Sequence, residues 1–211
     1  MPIQLALFDF DGTIADTHSS FIAILNRLSD EFGYAPATPA DVERMRGLSS
    51  SQLVLQSKIS RFKIPFLLRR AKEELGKEIA DIQPIAGMET VLRSLTPQLR
   101  LGILTSNLTA NVQAFLERNQ LQDLFEFVHS DSTLFGKHKI IRRVLANLHL
   151  PPSAIAYIGD ETRDIEAAKR CRTPAIAVTW GFNAASVLAQ HQPDFLVTTP
   201  AELVAALQAL R

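Results

Sequence analysis

Asp9 and Asp11 flank Phe10 and are followed at once by Gly12 and Thr13, which places two carboxylates at the end of an apolar run over residues 3–8. Residues two apart on a strand face the same way, so the carboxylates project together while Phe10 points to the opposite side. Gly12 lets the chain turn sharply and leaves room for a ligand against the backbone. Such a pair can hold a hard cation through oxygen, or divide the work of nucleophile and proton donor. Three further polar clusters follow apolar runs. Thr105-Ser106-Asn107 closes the run at residues 101–104 and offers two hydroxyls and an amide at a helix amino terminus. That is a neutral, donor-rich pocket for a phosphoryl group, although the same residue types also cap helices. Phe135-Gly136-Lys137-His138-Lys139 precedes a helical stretch over residues 140–148. A lysine there can neutralise negative charge developing across the site. Gly159-Asp160-Glu161-Thr162-Arg163-Asp164 follows the run at residues 155–158. Asp160 repeats the address of Asp9, and Asp164 lies on the same side of the opening helical turn.

For these clusters to meet, their strands must lie side by side and point the same way. Apolar runs of strand length occur at residues 3–8, 101–104, 125–128, 155–158, 175–178 and, more weakly, 195–197. Several are continuously apolar, as strands covered on both faces of a parallel sheet require. Helical patterns over residues 111–119 and 162–172 lie between them, and the alternation predicts a doubly wound α/β domain with a parallel sheet. Open sheets of this kind place their ligands at the carboxyl ends of the strands, where all four clusters fall. The rhythm breaks between residues 19 and 83, which are rich in helical pattern. Phe21, Ile24, Leu25, Leu28 and Phe32 share one helical face, with Gly33 as a stop. Thr38-Pro39 reads as the N-cap and first turn of a helix reaching Arg46. Ser49 to Ser51 cap another helix, and Pro65 opens one towards Lys77. Pro84 and Gly87 mark the return to the sheet.

Composition narrows the partners. With 211 residues, 22 basic and 22 acidic, the formal charge is zero, so the basic excess typical of a nucleic-acid binder is missing. A single cysteine, Cys171, permits no intrachain disulfide and suits a reducing compartment. No apolar run approaches the roughly 20 residues that cross a bilayer, and Asp9 and Asp11 interrupt any signal-peptide pattern. The expectation is a soluble, cytoplasmic protein, a monomer or homodimer, with no nucleic-acid or membrane partner. No histidine cluster has zinc-ligand spacing.

Together these motifs resemble the haloacid dehalogenase superfamily of phosphohydrolases, in particular its phosphoglycolate-phosphatase-like branch with a helical cap. The resemblance spans residues 3–203. Asp9-Phe10-Asp11-Gly12-Thr13 with Asp16 matches the first motif, Thr105 the second, Lys137 the third, and Asp160 with Asp164 the fourth. It implies a Rossmann-like core of residues 1–16 and 84–211 and a cap domain of residues 17–83. It implies that Asp9 attacks phosphorus to form an aspartyl-phosphate, and that Asp11 protonates the leaving alcohol and then activates water. It implies Mg2+ held by Asp9, Asp11 (through its backbone carbonyl) and Asp160, with Glu161 or Asp164 supporting that shell. Thr105, Ser106 and Asn107 would hold the phosphoryl oxygens, and Lys137 would offset charge on nucleophile and phosphate.

Two departures stand out. His138 follows the lysine where the family often has proline, which keeps Lys139 open as a substitute for Lys137. No specificity loop maps onto the cap, where Arg44, Arg46 and Lys58 are candidates to meet a second anionic group on the substrate. The expected activity is Mg2+-dependent hydrolysis of a small phosphorylated metabolite, phosphoglycolate-like or a sugar phosphate. The alternatives are a phosphomutase of the same fold and a non-catalytic phosphate-binding or receiver-like regulatory protein. A receiver carries its phosphoacceptor after a later strand and has no helical insert after the first, so the order of motifs disagrees with it.

Overall fold

In the computed structural model, residues 2–57, 59–130 and 136–210 are described; Lys58 and Phe135 lie outside them. Six strands form one sheet: β1 (Leu5–Phe8), β2 (Arg100–Thr105), β3 (Phe127–Ser130), β4 (Ile155–Gly159), β5 (Ala175–Val178) and β6 (Phe195–Val197). Their order is β3-β2-β1-β4-β5-β6, and every pairing is parallel.

The continuous apolar character of β1 follows from its place at the centre. Ala6 and Phe8 join one buried cluster with Ile103, Ile158, Leu92 and Phe115. Leu5 and Leu7 join the other, with Leu104, Tyr157, Ile141 and Ile165. Alternate residues therefore feed two cores, one on each face of the sheet, and no position of the strand meets water. The flanking helices are α6 (Met88–Leu95), α7 (Thr109–Arg118), α8 (Lys137–Leu148), α9 (Thr162–Cys171), α10 (Ala185–Gln190) and α11 (Pro200–Ala209), numbered after five inserted ones given below. Residues of α6, α7 and α11 pack in the first cluster, and residues of α8, α9 and α10 in the second. The chain steps from β1 out to β2 and β3, then returns past β1 to β4. The strand order reverses there, which opens the crevice at the carboxyl end of β1.

Between β1 and β2 the chain inserts α1 (His18–Arg27), α2 (Ser29–Phe32), α3 (Pro39–Arg46), α4 (Ser50–Gln56) and α5 (Ile64–Glu78). The start signals act as their chemistry requires. The Thr38 hydroxyl accepts from the Asp41 amide at 3.2 Å while the Asp41 carboxylate accepts from the Thr38 amide at 3.1 Å. Ser49 and Gln52 make the same reciprocal pair at the head of α4. One expectation changes. The face running from Phe21 to Phe32 does not lie on a single helix, because α1 ends at Arg27. The Leu25 carbonyl there accepts from the Leu28 amide, three residues on, and from the Tyr34 hydroxyl, so the turn tightens before α2 begins. Helix α5 buries Leu67, Ala71, Lys72 and Leu75 on one stripe. It approaches α7 closely: Asn111 donates its side-chain amide to the Lys72 carbonyl at 2.7 Å. Among the described residues no helix is long and apolar enough to cross a membrane.

Candidate active site

Asp9 stands one residue beyond β1 and is 2% exposed. Its Oδ1 accepts from the Phe10 amide at 2.8 Å, and its Oδ2 lies 2.6 Å from the Lys137 ammonium. Lys137 is the first residue of α8, and its Nζ also lies 2.6 Å from Asp164 Oδ1. A cation at a helix amino terminus opposes the helix dipole, and two buried carboxylates outweigh that effect. Lys139 is exposed, so Lys137 is the lysine that reaches the crevice. Tyr157, buried in β4, puts its ring 5.7 Å from the same ammonium.

Asp160 is fully buried beyond β4. Its Oδ1 accepts from the Thr13 hydroxyl at 2.8 Å and its Oδ2 from the Phe182 amide at 2.7 Å. Asp164, at the head of α9, turns its Oδ2 to the Glu161 amide at 3.0 Å. One oxygen each from Asp9, Asp160 and Asp164 lies within 4.8 Å of the others. Burial raises the Asp9 carboxyl to about 7, against the pull of Lys137. Burial, reinforced by Asp9, Glu161 and Asp164, holds Asp160 well above the usual carboxylate range. Among the described residues no basic side chain pairs with Asp160. Three buried carboxylates with one bridging ammonium leave negative charge uncompensated, and an all-oxygen donor set fits a hard divalent cation such as Mg2+.

Asp11 faces elsewhere. Its carboxylate accepts from the Asn107 side-chain amide at 2.9 Å and stands apart from the three-carboxylate group, which leaves its backbone carbonyl as the atom the family resemblance assigns to a cation. Burial raises its pKa, partly countered by the Asn107 hydrogen bond. The two aspartates of the first motif thus differ in partner, an ammonium for Asp9 and a neutral amide for Asp11.

The loop after β2 is tightly organised. The Thr105 hydroxyl accepts from the Asn107 amide at 2.9 Å, and Asn107 Oδ1 accepts from the Leu108 amide and the Asn111 side chain at 2.7 and 2.9 Å. Thr105 and Asn107 therefore shape the loop and hold Asp11, while the half-buried Ser106 turns its carbonyl to the Lys72 ammonium. Glu161 pairs with Arg163 at 2.5 Å.

Sequence reasoning did not single out four residues that the fold brings to this place. Lys72 had a signal, a lysine on the apolar stripe of α5. Tyr157 had one too, as the one hydroxyl-bearing residue within the apolar run of β4. Arg163 stood within the fourth polar cluster without being given a role, and Asn183 had no signal. Asn183 accepts from the Thr162 amide at 2.9 Å and donates to the Leu48 carbonyl at 2.9 Å, so it ties the inserted helices to the fourth motif. The Ser50 hydroxyl, 3.1 Å from Glu161 and 3.2 Å from Thr162, makes a second tie. Of the proposed substrate contacts, Arg44 pairs with Asp41 at 2.7 Å on an exposed helix face, and Lys58 is outside the described residues. Cys171, buried at the end of α9, has its thiol pKa raised by burial, as befits a small core residue.

Gly12 sets how closely the first and fourth motifs approach. Its φ is +71°, and a Cβ there would stand 2.5 Å from Asp160 Oδ2 and 2.7 Å from the Phe182 ring. Gly12→Ala is expected to displace Asp160 and lower kcat/KM on an aryl phosphate by about 100-fold, the scale of a 1 Å misplacement. Steady-state kinetics beside a thermal melt would check it; activity within threefold of wild type would show that the close approach has no role.

Comparison with known proteins bears on the whole chain. Residues 6–178 match the model of the family described as haloacid dehalogenase-like hydrolase. A phosphoglycolate phosphatase from Synechococcus elongatus is 37% identical over 209 residues, covering 99% of each chain. Among solved structures, a predicted phosphatase from Clostridium acetobutylicum superposes with a TM-score of 0.84 at 19% identity, covering 99% of this chain and 100% of its own. A haloacid dehalogenase-like hydrolase from Streptococcus pneumoniae superposes with a TM-score of 0.80 at 24% identity, covering 98% and 99%. At those identities the two structures speak for the fold.

Proposed function

The chain belongs to the haloacid dehalogenase-like hydrolase family and is a phosphatase, and from that premise we propose that it is a Mg2+-dependent hydrolase of small phosphomonoesters, with 2-phosphoglycolate the first candidate substrate. One arrangement carries this reading: Lys137 bridges Asp9 and Asp164 at 2.6 Å each, with Asp160 completing a buried carboxylate group. The substrate class follows the 37% identical relative, a phosphoglycolate phosphatase.

In this reading the Asp9 carboxylate attacks phosphorus in line with the ester oxygen, the P–O ester bond breaks, and an aspartyl-phosphate forms. Asp11 donates its proton to the departing alkoxide. It then takes a proton from the water that attacks the aspartyl-phosphate, which releases inorganic phosphate and restores Asp9. Lys137 keeps Asp9 ionised and oriented and offsets the charge of the phosphoryl group. Asn107 orients Asp11, and the loop of Thr105 and Ser106 faces the phosphoryl oxygens. Asp9, Asp160 and the Asp11 carbonyl would hold Mg2+, with Asp164 and Glu161 in support, and the positive charge it would supply would offset the repulsion between the Asp9 carboxylate and the phosphoryl group. Residues 17–83 act as a cap over a core of residues 1–16 and 84–211, and exclude water when the site is filled.

With Mg2+ the purified protein is expected to hydrolyse both an aryl phosphate and 2-phosphoglycolate. EDTA should reduce turnover at least about 100-fold, and added Mg2+ should restore it. Full turnover in EDTA would remove the cation from the scheme.

A further inference from the structure

Lys72 lies within α5, on the stripe that also carries Leu67, Ala71 and Leu75, and is 8% exposed. Its ammonium donates to the carbonyl of Ser106, in the loop whose Asn107 holds Asp11. Among the described residues no carboxylate pairs with it. The other buried cations are treated differently: Lys137 bridges two carboxylates, and Arg163 binds Glu161. An ammonium has three donors, and Lys72 uses one of them on a neutral acceptor. Burying a charge in that condition is unfavourable unless an anion supplies the rest.

The position of that anion follows from the chemistry. Asp11 protonates the leaving oxygen, so the leaving group stands beside Asp11. Lys72 reaches the same place from the inserted helices, because the Ser106 carbonyl it binds adjoins Asn107, which holds the Asp11 carboxylate. Neutralising the phosphoryl group and Asp9 already falls to Lys137. Resting on the phosphatase reading above, we propose that Lys72 binds a carboxylate on the leaving group and thereby selects small phosphomonoesters whose alcohol carries its own negative charge. Arg44, named from sequence for this role, is spent on Asp41 with its side chain 65% exposed.

The test compares 2-phosphoglycolate with its neutral amide, 2-phosphoglycolamide, for wild type, Lys72→Met and Lys72→Arg in the presence of Mg2+. Wild type is expected to prefer the acid. In Lys72→Met the ratio of kcat/KM values, acid over amide, should fall about 10–100-fold, as loss of a charge-assisted contact implies, mainly through KM for the acid. Lys72→Arg should keep most of the preference. Without substrate, Lys72→Met should melt no lower than wild type, because it removes a buried charge that lacks an anionic partner. Equal losses on both esters would overturn the proposal and assign Lys72 to the phosphoryl group, and a wild type indifferent to the carboxylate would overturn it outright. The phosphatase reading fails differently, by wild-type turnover of neither ester nor an aryl phosphate, and that result would overturn both.

Discussion

Asp9→Asn is expected to abolish turnover, by at least about 10^4-fold in kcat, the scale seen when a nucleophile is removed from a catalytic unit. The fold should survive. Asparagine keeps the shape of the side chain and an oxygen for the Phe10 amide, now 2.8 Å away, and Lys137 retains Asp164. Burial raises Asp9 to about 7, so in the cation-free protein its ionisation works against the folded state near neutral pH. Removing that charge therefore leaves the melting temperature in EDTA near the wild-type value. The measurement pairs kcat on an aryl phosphate with Mg2+ against a melt in EDTA. Residual activity above about 1% of wild type would take the nucleophile's role away from Asp9, and a large drop in melting temperature would make its role structural.

Asp9 was easy to find because the physics that buries it also marks it in the sequence. A strand at the centre of a parallel sheet must be apolar on both faces, so residues 5–8 read without alternation, and a carboxylate straight after them is conspicuous. The same contrast marks Asp160 after β4 and Thr105 at the end of β2. Start signals such as Thr38 and Ser49 were equally open, since a capping box is a contact between residues three apart. Contacts between distant segments were not. The break after Arg27 coincides with the Tyr34 hydroxyl reaching back to Leu25, and nothing in the apolar spacing of Phe21 to Phe32 announces it. The Asn183 tie arises only once the loop after β5 is packed against the head of α9 and the inserted helices. Lys72 falls between these cases: its place on the stripe of α5 could be read, but what it meets is set by how α5 lies against α7.

The way the inserted helices meet the sheet bears on access. Asp9, Lys137 and Asp160 are each at most 2% exposed, and in the proposed scheme a substrate reaches them when the cap of residues 17–83 moves aside. Much of the junction beside the fourth motif is polar: the Ala184 amide donates to the Arg46 carbonyl at 2.8 Å, and Asn183 and Ser50 add their bonds to Leu48 and Glu161. Hydrogen bonds exchange for water with little net change in free energy, whereas parting an apolar seam does not. A seam of this composition would suit the proposed cap in opening on every turnover.

Lys137→Met should produce the largest loss of stability, and its size should depend on pH. In wild type the ammonium lies 2.6 Å from Asp9 and from Asp164 with all three side chains nearly fully buried. Deleting one partner of such a group leaves charge uncompensated and costs about 3–5 kcal/mol, on the order of 10 °C in melting temperature for a chain of this length. The sign with pH follows from Asp9. Its folded pKa, about 7, exceeds the ordinary aspartate value of 3.8. Between those values the native state keeps a proton that the unfolded chain has released, so Asp9 makes stability fall as pH rises. Lys137 holds that pKa down, and its removal pushes the Asp9 carboxyl higher and deepens the fall. Melts in EDTA should therefore show a smaller deficit for Lys137→Met at pH 5, where Asp9 is protonated in both proteins and the loss is chiefly that of the Asp164 contact, and the full deficit at pH 8. Added Mg2+ should recover part of it at pH 8, because an ion held by the same carboxylates restores some of the lost positive charge. A deficit equal at the two pH values and untouched by Mg2+ would mean that Lys137 serves as packing, and that the negative charge it faces is balanced elsewhere.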